Sequence, residues 1–143
     1  MKRGWLIVAV FSTGLAAGCA QAVRLDPPAP EGAAATACRA LSAKLPATIE
    51  GLARTETDPV SPYTAVWGAG EIALRCGVGR PASMEPTAEV SDVNGVGWFA
   101  DPARPTLFTS VNREAYVEVT ISANHQPGSV LVDLAEPIKA TIP

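Results

Sequence analysis

An α+β fold, with an antiparallel sheet of short hairpin strands and an N-terminal and a C-terminal helix packed on one face, is what the patterning of this chain predicts. Three observations carry that prediction. Apolar residues recur at helical spacing near the two ends of the region after residue 32, and between those ends they alternate with polar residues in short runs. Turn signals separate the runs, at Gly68-Ala69-Gly70, Asn94-Gly95 and Asn112-Arg113. The 143 residues suffice for one core, and thirteen prolines with twelve glycines favour loops and short elements over long helices. The organisation expected is residues 1–18 as a signal peptide, 19–32 as a lipidated cysteine and proline-rich tether, and 33–143 as a single domain.

At the N-terminus, Lys2 and Arg3 form a positive n-region, and residues 5–15 form an apolar stretch of signal-peptide length. The segment ends in Leu15-Ala16-Ala17-Gly18-Cys19, which resembles a bacterial lipobox, where diacylglycerol is attached to the thiol before cleavage in front of it. Its leucine stands one place earlier than the commonest pattern. Three other readings compete. Ala20-Gln21-Ala22 is an A-x-A site, so ordinary cleavage after Ala22 would release a secreted protein. The apolar stretch would otherwise stay as a membrane anchor, although about 20 apolar residues are usual for a span. Cys19 would otherwise be just a small apolar residue. Cysteine arithmetic favours lipidation, because removing one of three cysteines leaves a pair for an oxidising compartment. Residues 21–32, with Pro27, Pro28 and Pro30, read as an extended tether that holds the domain off the surface.

Residues 33–45 have helical composition and stop at Pro46. Cys38, Leu41 and Leu45 share a face with Ala34, whereas Arg39 and Lys44 point elsewhere and Lys44 suits the helix dipole. Residues 46–62 are polar and broken, with Ile49 and Leu52 as anchors, and read as a turn of helix followed by loop.

Residues 63–67 and 71–76 read as two strands joined across Gly68-Ala69-Gly70. In the second, Ile72, Leu74 and Cys76 face one way, and Glu71, Ala73 and Arg75 the other. A cysteine on the apolar stripe of a helix and another on the apolar face of a strand are placed to meet where helix packs on sheet. A Cys38–Cys76 disulfide would close a loop of about 40 residues and stabilise by about 4 kcal/mol. Two separate buried thiols are the alternative.

Residues 79–86 read as loop, and 89–99 as two short strands around Asn94-Gly95. After a loop at 101–105, residues 106–111 and 114–121 form a third hairpin around Asn112-Arg113. A two-residue turn there sets Phe108 opposite Val117. Ala115, Val117, Val119 and Ile121 make a dry face, and Glu114, Tyr116, Glu118 and Thr120 a wet one. Residues 122–128 are loop. Residues 129–142 place Val130, Leu131, Leu134 and Ile138 at helical spacing, with Ser129 able to cap. Pro137 costs about 3 kcal/mol in a regular helix, so a kink or stop is expected near Ala135.

The pattern resembles the actinobacterial domain-of-unknown-function family 3515, small exported or membrane-anchored proteins. The residues that carry the resemblance are Cys38-Arg39-Ala40-Leu41 with Leu45-Pro46, Trp67-Gly68, Leu74-Arg75-Cys76-Gly77-Val78, Val93-Asn94-Gly95-Val96 with Trp98, and Tyr116-Val117-Glu118-Val119. They span nearly all of the domain. The resemblance implies no activity. The family pattern often has an acidic residue before the second tryptophan; Gly97 stands there in this chain, so no role for that carboxylate carries over.

Gly68-Ala69-Gly70-Glu71-Ile72-Ala73 matches a dinucleotide fingerprint in letters only, since an alternating strand follows where a helix should aim its N-terminus at pyrophosphate. His125, the single histidine, sits in a loop without an arranged partner, and one histidine with two bridged thiols makes no zinc ligand set. No cofactor and no metal are expected. Trp67, Trp98 and Phe99 complete a core or, alternatively, form an aromatic patch. Glu71, Arg75, Glu114, Tyr116 and Glu118 on the wet face are the candidate partner surface, and two of its carboxylates, Glu114 and Glu118 on one strand, would serve as acid and base in an enzymatic reading. Solvated or cross-strand paired side chains are the plainer reading.

Charge narrows the partners. Without Lys2 and Arg3, nine basic residues stand against fourteen acidic ones, a net of −5, which disfavours nucleic acid. The leading expectation is a non-enzymatic envelope lipoprotein on the outer face of the cytoplasmic membrane, held there by the Cys19 lipid and meeting an envelope protein or wall component. The alternative is an exported accessory enzyme or small-ligand binder working through the wet face.

Overall fold

The computed structural model describes residues 20–143; the expected signal peptide, the lipobox and Cys19 itself lie outside them. The first element falls inside the expected tether. Strand β1 (Val23–Arg24) is extended, as proline-rich chain should be, but it is docked on the domain instead of standing off it. Helix α1 (Gly32–Lys44) follows, close to the expected span, with Ala35, Ala37, Cys38 and Leu41 buried. Its end has a local cause: Pro46 disfavours helical geometry in the residue before it, and Leu45 sits at φ −62°, ψ 141°.

Residues 46–62 depart from expectation. In place of a helical turn they form β2 (Thr48–Ile49), β3 (Leu52–Thr55) and β4 (Thr57–Asp58). Glu50 and Gly51, at φ 51° and 78°, make the two-residue reversal between β2 and β3. A glutamate in the left-handed region carries none of the Asn-Gly signature by which such turns are usually read.

Strands β5 (Thr64–Trp67) and β6 (Ile72–Val78) pair antiparallel with Trp67 opposite Ile72, so the glycine-rich stretch is a hairpin connection as expected. Strands β7 (Ser91–Val93) and β8 (Val96–Ala100) turn at Asn94 and Gly95, both at positive φ. Strands β9 (Leu107–Val111) and β10 (Tyr116–Ile121) complete a sheet in the order β2-β3-β5-β6-β10-β9-β8-β7, antiparallel throughout. Strands β1 and β4 form a separate parallel pair.

The third hairpin is longer than expected. Phe108 pairs with Val119, not Val117, because the β9–β10 connection takes four residues instead of two. Those residues are engaged elsewhere: the Arg113 guanidinium donates to the Ile142 and Gly95 carbonyls, and the Glu114 N–H donates to the Pro143 carbonyl at 2.8 Å. A tight turn would forfeit these clamps on the chain's C-terminal end. The ladder with β6 also shifts register between Tyr116 and Val117.

Helix α2 (Pro127–Thr141) starts earlier than expected, with proline in its first turn and no side-chain cap, so Ser129 is not the cap. It also runs through Pro137 without the expected stop. Asp133, whose carbonyl loses its partner N–H to the proline, is exposed and able to bond water, while Ile138 and Ile142 are fully buried beyond it. Burial of those two isoleucines outweighs the proline.

Both helices pack on the face carrying Ile72, Leu74, Cys76, Val117, Val119 and Ile121, and on each other. The Cys38–Cys76 disulfide, with both residues buried and Cα atoms 5.6 Å apart, ties α1 to β6 at the centre of this layer. Trp67 and Trp98 lie in the same core. The Trp67 Nε1–H donates to the Pro46 carbonyl at 3.0 Å, whereas the Trp98 Nε1–H is buried with no partner among the described residues.

Candidate functional site

The opposite face of the sheet was the expected wet surface. Register places Thr64, Arg75, Glu118, Thr109 and Phe99 in one row across five strands. Only the middle of that row is open. At one end Thr64 is covered by β4, its hydroxyl 3.2 Å from the Thr57 hydroxyl. At the other, Phe99 is buried at the edge of a cleft of about 380 Å³ whose opposite wall is Ser83, Glu85, Thr87 and Ala88. Two irregular segments therefore flank a narrow strip of sheet.

Within the strip, Arg75 and Glu118 form an ion pair at 3.0 Å, one-third and one-fifth exposed. These are cross-strand neighbours, so the β6–β10 register alone brings them together. The Arg75 Nε–H also donates to the Asp26 carbonyl at 3.0 Å, which fastens the N-terminal segment onto the strip. A shallow trough of about 420 Å³ results, lined by Arg24, Leu25, Asp26, Arg75, Glu118 and Thr120. Its cations and carboxylates neutralise each other, and each charge has an opposite partner within reach: Arg24 bonds Asp26 at 3.4 Å.

The other candidate residues are dispersed. Glu71 turns its carboxylate back onto the Ala69 N–H and closes its own hairpin connection. Glu114 precedes β10 and lines a groove with Ala33, Ala37, Ala40, Thr141 and Pro143 at the helix ends, so it is not on the sheet's wet face. Tyr116 is on that face, one register position from Glu118, beside Arg80, Met84, Pro86 and Val90 in a third cleft. Of the five, the structure brings together Arg75 and Glu118. The glutamate pair Glu114 and Glu118 does not converge on a common point.

His125 is half-buried in a turn whose N–H bonds the Ser122 carbonyl. Trp67 and Trp98 are core residues and Phe99 is buried on the other side of the sheet, so the three make no common patch. Among the described residues, no group of three or more His, Cys, Asp or Glu side chains is placed to hold a metal ion, and no helix is long and apolar enough to cross a membrane.

Sequence reasoning missed Asp101. It is 3% exposed and accepts from the Ser83 hydroxyl at 3.1 Å, the Ala103 N–H at 2.9 Å and the Arg104 guanidinium at 3.0 and 3.2 Å. Burial pushes its carboxyl up, but the Ala103 N–H, Arg104 and Ser83 together outweigh this and hold it below the usual carboxylate range. Its part is to staple the segment after β6 to the β8–β9 connection. The one available signal was aspartate two residues before a backbone donor in a proline-containing turn.

A family model described as a protein of unknown function, DUF3515, matches residues 5–143. No curated protein and no solved structure matches the chain.

Proposed function

The chain belongs to the DUF3515 family, and from that premise we propose that it is an exported, lipid-anchored module of the cell envelope with a non-enzymatic, interaction or structural role. The observation that carries this reading is the Cys38–Cys76 bridge. A disulfide buried at the centre of the helix layer is a permanent part of the fold, and such bonds form and persist outside the reducing cytosol. With that pair closed, Cys19 is the third cysteine, at the end of a signal-like stretch and in a lipobox-like context.

The dispersal of Glu71, Arg75, Glu114, Tyr116 and Glu118 supports a role in contact over one in catalysis. Acid–base work needs groups aimed at one reacting atom. Here Arg75 and Glu118 satisfy each other, and Glu71 satisfies its own turn. The partner in this reading is the membrane through the lipid, with an envelope protein or wall component met by the exposed surface.

The test is metabolic labelling with palmitate and fractionation of cells carrying the wild-type chain or Cys19→Ser. Loss of label and release from the membrane in the variant are expected; unchanged labelling would reject the lipoprotein. A small-ligand binder working in the Arg75–Glu118 trough is the second reading, favoured by the partly buried charges there.

A further inference from the structure

The proline-rich segment between Cys19 and α1 reads from sequence as a spacer, and free chain of that length would reach roughly 35–40 Å. The structure gives it a different geometry. The Val23 N–H donates to the Glu56 carbonyl at 2.9 Å and the Leu25 N–H to the Asp58 carbonyl at 3.1 Å, closing the β1–β4 ladder. Val23 lies over Gly70. Further along, Arg75 holds the Asp26 carbonyl, and the Pro30 ring packs over Gly77, where any Cβ would come within 2.5 Å of it. The segment is a strap laid along β6 from its first residues to its last. It begins at the β5–β6 turn: Ala20 and Gln21 line one shallow apolar hollow with Ala53, Thr55, Gly68 and Ala69.

Cys19 is the residue before Ala20, so covalent geometry alone puts its Cα about 3.8 Å from that of Ala20. We propose that the strap fixes how the domain sits on its membrane: the β5–β6 turn end of the sheet, which also carries the β8–β9 connection, lies against the lipid bilayer, and the opposite end, with Asn94-Gly95 and residues 112–115, points away from it. This inference rests on Cys19 being the lipid attachment point. The occupant of the turn end is then set by the attachment itself, because a diacylglycerol seated in the bilayer pulls in whatever is fixed within a few ångströms of its thioether. The surface suits that approach. Gly68, Ala69 and Gly70 are small, and the Glu71 carboxylate is drawn back onto the Ala69 N–H instead of facing an anionic headgroup layer. The surface left for an envelope partner is therefore the far end and the flanks, not the turn.

The test uses the lipidated full-length product in vesicles of phosphatidylcholine and phosphatidylglycerol that contain nitroxide-labelled lipid. A fluorophore is placed through Ala69→Cys or Glu114→Cys, both exposed positions, the second at the far end just before β10, while the native pair is buried and bridged. Quenching at residue 69 is expected to exceed that at residue 114 by at least about threefold. Equal quenching, or stronger quenching at 114, would overturn the orientation. Hydrogen exchange separates this from the lipoprotein reading: the Val23 and Leu25 amides are expected to exchange at least about tenfold more slowly than in an unstructured peptide. Free exchange there, with palmitate present on Cys19, would refute the strap alone. Protected amides on a chain that takes no palmitate would refute the lipid anchor, and the bilayer orientation with it.

Discussion

The two faces of the sheet are covered by different means. One lies under α1 and α2, with fully buried aliphatic side chains, both core tryptophans and a disulfide across the layer. The other lies under the strap, β4 and the segment after β6, which have little regular structure and are held on the sheet by side-chain links: Arg75 to Asp26, Thr64 to Thr57, Asp101 to Ser83. Burial of apolar area stabilises in proportion to area, whereas a single hydrogen bond contributes a net of about 0.5–1.5 kcal/mol. The helix face is therefore where the fold is held, and the strap face is where residues can change with the fold intact.

Breaking that comparison is straightforward. The largest effect belongs to the bridge: Cys38→Ala with Cys76→Ala should cost about 4 kcal/mol, a large share of a stability on the order of 5–15 kcal/mol. Urea unfolding reads it, and an unchanged midpoint would show that the helix face holds without its pin. Next come the tryptophans, a comparison within that face. Trp67→Phe strands the Pro46 carbonyl and should cost about 1–3 kcal/mol, whereas Trp98→Phe removes a donor that has no partner among the described residues and should cost less. Equal losses would mean that ring volume, not the hydrogen bond, sets both values.

On the strap face, Arg75→Met should lower stability by no more than about 1 kcal/mol, because the ion pair is partly exposed. A loss larger than that of Trp67→Phe would reverse the ranking of the two faces. The smallest effect is read from its pH dependence. The Asp101 carboxyl is held below its unfolded value, so its contribution is present above roughly pH 4 and is lost as pH falls through the folded value. Thermal melts of Asp101→Asn should therefore be flatter than wild type in the acid limb; parallel limbs would deny the carboxylate its staple role.

The division between the faces also explains what was legible in the sequence. The helix face was written in apolar periodicity: Cys38, Leu41, Leu74, Cys76, Val117, Val119 and Leu134 read as buried and are buried, and the two cysteines read as partners and are bonded. The strap was not legible, because its docking uses backbone groups of Val23 and Leu25 that leave no mark in side-chain pattern. The β2–β3 hairpin was hidden by a glutamate at positive φ. The β9–β10 register was misread because Arg113 and Glu114 serve the C-terminal segment, a long-range contact that local turn rules do not contain. For the candidate surface, alternation placed Arg75, Tyr116 and Glu118 on the correct side. It could not show that covering segments divide that side, or that Glu114 falls before the strand begins.

The central claim, a lipid-anchored domain outside the cytosol, meets its most direct test in the mass of the mature chain recovered from cells after thiols have been trapped with a maleimide. The account predicts a chain that begins at Cys19, carries diacylglycerol there, and takes up no maleimide until it is reduced, when Cys38 and Cys76 react. Maleimide on Cys38 and Cys76 without reduction, or an unmodified Cys19 still preceded by residues 1–18, would contradict it.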